Sequence, residues 1–145
     1  MRLVLQRVQS AQVEVSGEVI GRIGRGLLVL VGIGKADDSS AINWLANKTV
    51  ELRIFEDENQ KMNLGLRDIK GEILLVSQFT LYADCHKGRR PGFDQAADPE
   101  IAERQFEEFV KAIDSLGFKA QTGKFGADMK VSLINDGPVT IILEK

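Results

Sequence analysis

Met129-Lys-Val-Ser-Leu-Ile-Asn-Asp-Gly-Pro-Val-Thr-Ile-Ile-Leu-Glu144 is the stretch on which the fold depends. Two strand-like runs, 129–134 and 139–143, flank Asn135-Asp-Gly-Pro138, four residues that each interrupt regular structure in a different way. The pattern predicts a β-hairpin with its turn at Gly137-Pro138. Proline brings a fixed φ and lacks an N–H where the second strand would begin pairing. The turn is therefore either of type VI, with a cis proline, or an ordinary trans turn on a sheet edge. Local sequence favours trans, because cis is the minority isomer of X-Pro bonds.

Upstream, residues 2–8 and 11–15 alternate apolar with polar, and Ser16-Gly17 leads into Glu18-Val-Ile20, which predicts an opening hairpin. Gly26-Leu-Leu-Val-Leu-Val-Gly-Ile33 has the unbroken apolar character of a strand covered on both faces, at the centre of a sheet. A second such strand is expected over Glu72–Tyr82, turning polar at Ser77, Gln78 and Thr80 while staying extended. Two helices complete the pattern. The first is capped by Asp37, Asp38 or Ser39 and buries Ile42, Leu45, Ala46, Thr49 and Val50, with Trp44 at the rim. The second starts at Asp98-Pro99-Glu100, buries Ile101, Phe106, Phe109, Val110 and Ile113, and stops at Gly117. Lys61–Leu64 reads as a short edge element and Phe118–Thr122 as a short strand. The expected class is α+β: a single domain over 1–145, with a mixed, barrel-like curled sheet and both helices packed on one side.

A chain of 145 residues is long enough to bury roughly two thirds of its unfolded surface. Its net charge of −2 exerts no overall pull toward nucleic acid, so any anion site must be a local patch. A lone Cys85 excludes an internal disulfide, and a lone His86 leaves few metal ligands, so no metal or cofactor is expected. Gln6 and Arg7 break the only early apolar run, and Leu27–Ile33 is too short for a bilayer, so a cytoplasmic protein without a membrane partner is expected.

Several motifs fail on inspection. Gly21-Arg-Ile-Gly24-Arg-Gly26 leads into a strand rather than a helix, which rejects a dinucleotide site. Gly32-Ile-Gly34-Lys35 has Val29 and Ala36 where a P-loop needs glycine and a hydroxyl. Both glycine clusters are assigned to turns. Cys85 and His86 are adjacent in an extended loop and point to different sides, and no Gly-x-Ser-x-Gly elbow exists, so conventional hydrolase machinery is absent.

What remains is Ser77-Gln-Phe-Thr80, Asn135-Asp-Gly-Pro-Val-Thr140, Gln121-Thr-Gly-Lys-Phe-Gly-Ala-Asp-Met129, Arg53-Ile-Phe55 and Lys61-Met-Asn63. With these motifs spread over essentially the whole chain in the family's order, the chain resembles the D-aminoacyl-tRNA deacylases, editing hydrolases that remove D-amino acids from tRNA. One departure is Gly92 in Arg90-Pro-Gly-Phe93, where members often carry serine, and no role is carried onto it.

The resemblance implies a cis Gly137-Pro138 bond and a homodimer in which this turn enters the partner's pocket beside Ser77–Thr80. Its carbonyls would face the substrate's chiral carbon, so that L-aminoacyl esters are rejected by shape while glycyl-tRNA escapes the filter. Backbone N–H groups of Gln78, Phe79 and Thr80, supported by Ser77, would hold the ester oxygen, and the 2′-hydroxyl of the terminal adenosine would organise water. The rival mechanism makes Thr80 Oγ the nucleophile, although no base in the sequence is an obvious partner for it. Phe125 and Met129 would line or support the pocket. Lys87, Arg89, Arg90, Lys124 and Lys130 would contact tRNA phosphates. Two other readings remain open: a dimeric RNA-binding module without catalysis, and a structural interaction protein.

Overall fold

The computed structural model describes residues 1–145. Its scaffold is one long strand, β1 (Arg2–Val15). The second half of β1 pairs antiparallel with β2 (Glu18–Ile23) across the Ser16-Gly17 turn, and its first half pairs with β3 (Gly26–Gly32). Helix α1 (Ser39–Glu51) and a small antiparallel ribbon of β4 (Phe55–Glu56) and β5 (Met62–Leu64) then lead to β6 (Glu72–Ser77), which lies parallel to β3. Helix α2 (Pro99–Ser115) crosses over to β7 (Gln121–Thr122), parallel to β6, and β8 (Lys130–Glu144) ends the chain. The strand order is β2-β1-β3-β6-β7, with β8 on the other side of β1. β3 is thus central, as its uninterrupted apolar run predicts.

The sheet curls until its outer strands meet. A Cβ on Gly21 of β2 would stand 2.9 Å from the Thr122 carbonyl oxygen of β7, so glycine permits this closure. Each face of the curled sheet has its own core. Leu27, Val29 and Val31 of β3 join Ile73 and Leu75 of β6 beneath both helices, where Leu45 of α1 and Phe109 of α2 are fully buried. Leu28, Leu74 and Val76 face the other way, against Val8, Val13 and Ile23. Both helices therefore lie on one side. Asp38 caps α1 by accepting the Ala41 N–H at 2.9 Å.

Several expectations require correction. The carboxyl-terminal stretch is not a hairpin: both of its halves pair antiparallel with β1, so the chain never reverses. The register passes from Val8 opposite Asn135 to Gln6 opposite Thr140, which sets one residue, Arg7, against four, Asp136–Val139. The turn-forming residues are extruded as a bulge because β1 is long enough to template the strand on both sides of them. Asn135 Oδ1 closes the bulge by accepting the Val139 N–H at 2.8 Å. The Gly137-Pro138 peptide is cis, as the resemblance implies and against the preference of the local sequence.

The second buried strand stops at Ser77 and gives way to a 3₁₀ turn, Phe79–Tyr82. On α2 the buried stripe is Ala102, Phe106, Phe109 and Ile113; Ile101 falls outside this spacing and is exposed, and Val110 is only half-buried. Asp98 occupies the cap position without a side-chain hydrogen bond. The strand expected over Phe118–Thr122 is confined to its last two residues. Gly21 and Gly26 lie in strands rather than turns, where neighbouring chain leaves no room for a side chain.

Candidate active site

The site begins where β3 and β6 end side by side, with Val31 paired to Ser77. The Gln78 N–H extends that ladder by donating to the Val31 carbonyl at 2.8 Å, and the chain then folds back over the end of β3. Two glycines make room for it. A Cβ at Gly32 would lie 3.0 Å from Leu81 Cβ, and one at Gly34 would lie 2.7 Å from the Tyr82 hydroxyl. The turn is closed by Leu81 N–H to Gln78 O at 3.2 Å and Ala83 N–H to Thr80 O at 3.0 Å.

At the start of such a turn the first N–H groups have no partner within it. Those of Phe79 and Thr80 make no hydrogen bond inside the chain, whereas that of Gln78 is committed to Val31. The Gln78 side-chain amide donates to Thr80 Oγ1. From behind, the Arg2 guanidinium donates to the Leu81 carbonyl, pairs with Glu144 and sits 5.1 Å from the centre of the Tyr82 ring. Burial, followed by the nearby Asp37 carboxylate, pushes the Tyr82 hydroxyl up to about 12.

Beside the turn opens a mainly apolar cleft of about 650 Å³. Ser77, Gln78 and Phe79 form one wall, and Phe125, Ala127 and Met129 form another. Phe93 stands edge-on to Phe79, with ring centres 4.9 Å apart, and Phe125 packs toward Phe106 of α2 at 6.3 Å. Five expected residues, Ser77, Gln78, Phe79, Phe125 and Met129, thus meet on one cleft. Thr80 follows Phe79 on the exposed side of the turn and is not part of the cleft wall.

Gly137 and Pro138 are exposed on the β8 bulge and do not line the cleft of their own chain. Lys124 and Lys130 face a second cavity on the far side of the 124–130 segment. Lys87, Arg89 and Arg90 are exposed in the loop whose other end carries Phe93. In that loop His86 contacts the Asp84 carboxylate through both its backbone N–H (2.9 Å) and its Nδ1 (2.7 Å), which holds the carboxyl below its usual range. Cys85 is exposed, and neither residue reaches the cleft.

Sequence reasoning missed two features. Phe93 carried no signal, being one aromatic in a polar loop. Arg7 did carry one. It occupies the inward phase of Leu3 and Leu5, yet it is a cation that is 4% exposed. Its guanidinium donates to the Asp136 carbonyl at 2.9 Å and the Ile54 carbonyl at 2.7 Å, so it holds the bulge that carries Gly137.

A family model described as D-Tyr-tRNA(Tyr) deacylase matches residues 4–144. The chain belongs to this deacylase family. It is 60% identical to the D-aminoacyl-tRNA deacylase of Desulfatibacillum aliphaticivorans over 99% of both chains. It is 58% identical to the D-aminoacyl-tRNA deacylase of Thermosipho africanus (strain TCF52B), over 99% of this chain and 97% of that one. The solved c-Myc DNA unwinding element binding protein is 42% identical, with a TM-score of 0.94 over 100% of this chain and 99% of that one. The structure of a probable eukaryotic D-amino acid tRNA deacylase shares the fold at 18% identity, with a TM-score of 0.84 over 98% and 97%. Family membership places the chain among hydrolases, as the sequence motifs imply. No helix is long and apolar enough to cross a membrane.

Proposed function

We propose that this deacylase hydrolyses the ester joining a D-amino acid to the terminal ribose of tRNA, releasing the free D-amino acid, and that it spares L-aminoacyl-tRNA. The observation that carries this reading is the pair of unpartnered N–H groups on Phe79 and Thr80, beside a cleft built from the family's own motifs. Two adjacent backbone donors can stabilise the oxyanion that forms when water attacks an activated ester. Gln78, which was expected to be a third donor, contributes through its side chain instead, because its N–H is occupied.

The contact that Thr80 Oγ1 makes is with an amide donor, and an amide NH₂ cannot take its proton. This favours water over Thr80 as the nucleophile, with the substrate's own 2′-hydroxyl ordering that water. Chirality is read in a homodimer, where the bulge of one subunit brings Gly137 and Pro138 to the other subunit's cleft. The bulge's exposure on its own chain, outside its own cleft, is what such an exchange requires. Glycyl-tRNA, with no side chain to reject, is a second substrate. Phosphate contacts from Lys87, Arg89 and Arg90 give sequence-independent grip. The unit of function is the single domain over 1–145, working in the cytoplasm.

One tRNA charged in parallel with D-tyrosine, L-tyrosine and glycine tests this reading. Release of the D- and glycyl esters with the L-ester retained is expected; equal release of both enantiomers, or none, refutes it. Thr80→Val should keep kcat within about threefold, whereas loss of a true nucleophile costs several orders of magnitude. A terminal 2′-deoxyadenosine should stop turnover, and survival of activity would count against assistance by the RNA.

A further inference from the structure

The segment from Lys124 to Lys130 is a thin wall with two faces. Phe125, Ala127 and Met129 line the reaction cleft. Lys124, Asp128 and Lys130 alternate with them and face outward, onto a cavity of about 480 Å³ closed by Glu14 and the Ser16-Gly17 turn. Ala127 borders both spaces. The wall is held by its own turn, with the Ala127 N–H donating to the Lys124 carbonyl at 3.2 Å and Gly126 at φ 70°. The reaction cleft and the second cavity thus adjoin at Ala127.

We propose that this outer cavity is the subsite for the nucleotide preceding the terminal adenosine, a cytidine in the common CCA end of tRNA. The inference deepens the deacylase reading and rests on it. The charge pattern suits this ligand better than a bare anion. Lys124 and Lys130 supply donors for the connecting phosphodiester, and Lys130 Nζ is 3.9 Å from Glu14 Oε1, too far for a hydrogen bond, so its donors are free. The carboxylates of Asp128 and Glu14 match the exocyclic amine of cytosine, which donates to acidic side chains. Two cations and two carboxylates would give a simple phosphate no net attraction, but they complement a nucleotide that carries both an anion and an amine. The volume falls within the roughly 300 to 1,000 Å³ of small-ligand sites.

The test compares D-tyrosyl esters of adenosine and of cytidylyl-(3′→5′)-adenosine, and reads the ratio of their kcat/KM values. For the unaltered enzyme the added cytidylyl unit should raise kcat/KM about tenfold at low salt, with the gain shrinking as salt rises. In the double variant Lys124→Ala/Lys130→Ala the ratio should fall to about one, while Lys111→Ala, on α2, should leave it unchanged. Asp128→Asn should lower the cytidylyl gain and leave that for a uridylyl analogue unmoved. A ratio near one in the unaltered enzyme, or a full gain retained by the double variant, overturns the subsite while leaving the deacylase reading intact. Inertness toward both esters and toward D-tyrosyl-tRNA would overturn that reading and the subsite with it.

Discussion

Arg7 stands where alternation along β1 calls for an apolar side chain, and its guanidinium satisfies both the Ile54 and Asp136 carbonyls. Buried acceptors left without donors each cost about 1 to 3 kcal/mol. Arg7→Met should therefore lower unfolding free energy by about 3 kcal/mol in urea titrations and release the bulge at Gly137. Arg7→Lys should recover only part of this, since one ammonium cannot span both carbonyls with the geometry of a planar fork. Gly137 is fixed for a separate reason. Its φ is 140°, and a Cβ there would meet Val139 N at 2.8 Å. Tyr82 gives a prediction in pH. Its folded value of about 12 lies above the ordinary 10.0, so the fold favours the neutral hydroxyl. Stability from that preference is complete below pH 10 and is lost as pH rises through about 12. Tyr82→Phe has no proton to lose. The stability gap between the two proteins should be constant from pH 7 to 9 and narrow between 10 and 12; a gap indifferent to alkali would show that Tyr82 is not so perturbed.

At the scale of elements, periodicity revealed strands and helices but not their terminations or partners. The run Glu72–Tyr82 stays strand-like by composition, yet it breaks after Ser77 because Gly32 at the end of β3 and Gly34 just beyond it open the space into which Phe79–Tyr82 folds. That space is a long-range fact which no local window contains. The carboxyl-terminal stretch misled in the same way. Asn-Asp-Gly-Pro has the composition of a turn, and what makes it a bulge is the fourteen-residue length of β1 on the other side of the ladder. The site motifs were legible because they sit on these irregularities, where residue type is fixed by contacts that regular strands do not make. Close approach also decides a glycine at this scale. A Cβ on Gly26 would lie 1.9 Å from the Glu72 carbonyl oxygen, which is backbone and cannot swing aside. Gly26→Ala must push β3 away from β6 at the head of their parallel ladder. A loss of about 2 to 3 kcal/mol is expected in thermal or urea unfolding, with the larger loss if the shift reaches Leu27. A variant as stable as the parent would mean the two strands are not held in this register.

For the whole molecule, the open question of assembly is set by β8. It pairs with β1 along one side only, and it leaves Ile134 and Ile142 56% and 63% exposed, on opposite faces of the sheet because the bulge between them turns the strand over. A long edge strand bearing apolar side chains is a template for association. The bulge with Gly137 and Pro138 lies between those two isoleucines, so a copy that packs along the free edge of β8 also receives the bulge. The dimer and the complete site are in this view one event. Sedimentation at micromolar concentration should then give twice the 16.0 kDa chain mass. Ile142→Arg places a charge beside the covered edge, and should yield a folded monomer with an unchanged circular dichroism spectrum. Because such a monomer keeps Phe79 and Thr80 but lacks the partner's bulge, its selectivity should fail along with its rate. Residual hydrolysis of D- and L-tyrosyl-tRNA should become comparable, and activity should return as concentration drives re-association. A monomeric parent protein, or a monomeric variant that still discriminates enantiomers, would place chiral selection within one chain and remove β8 from the mechanism.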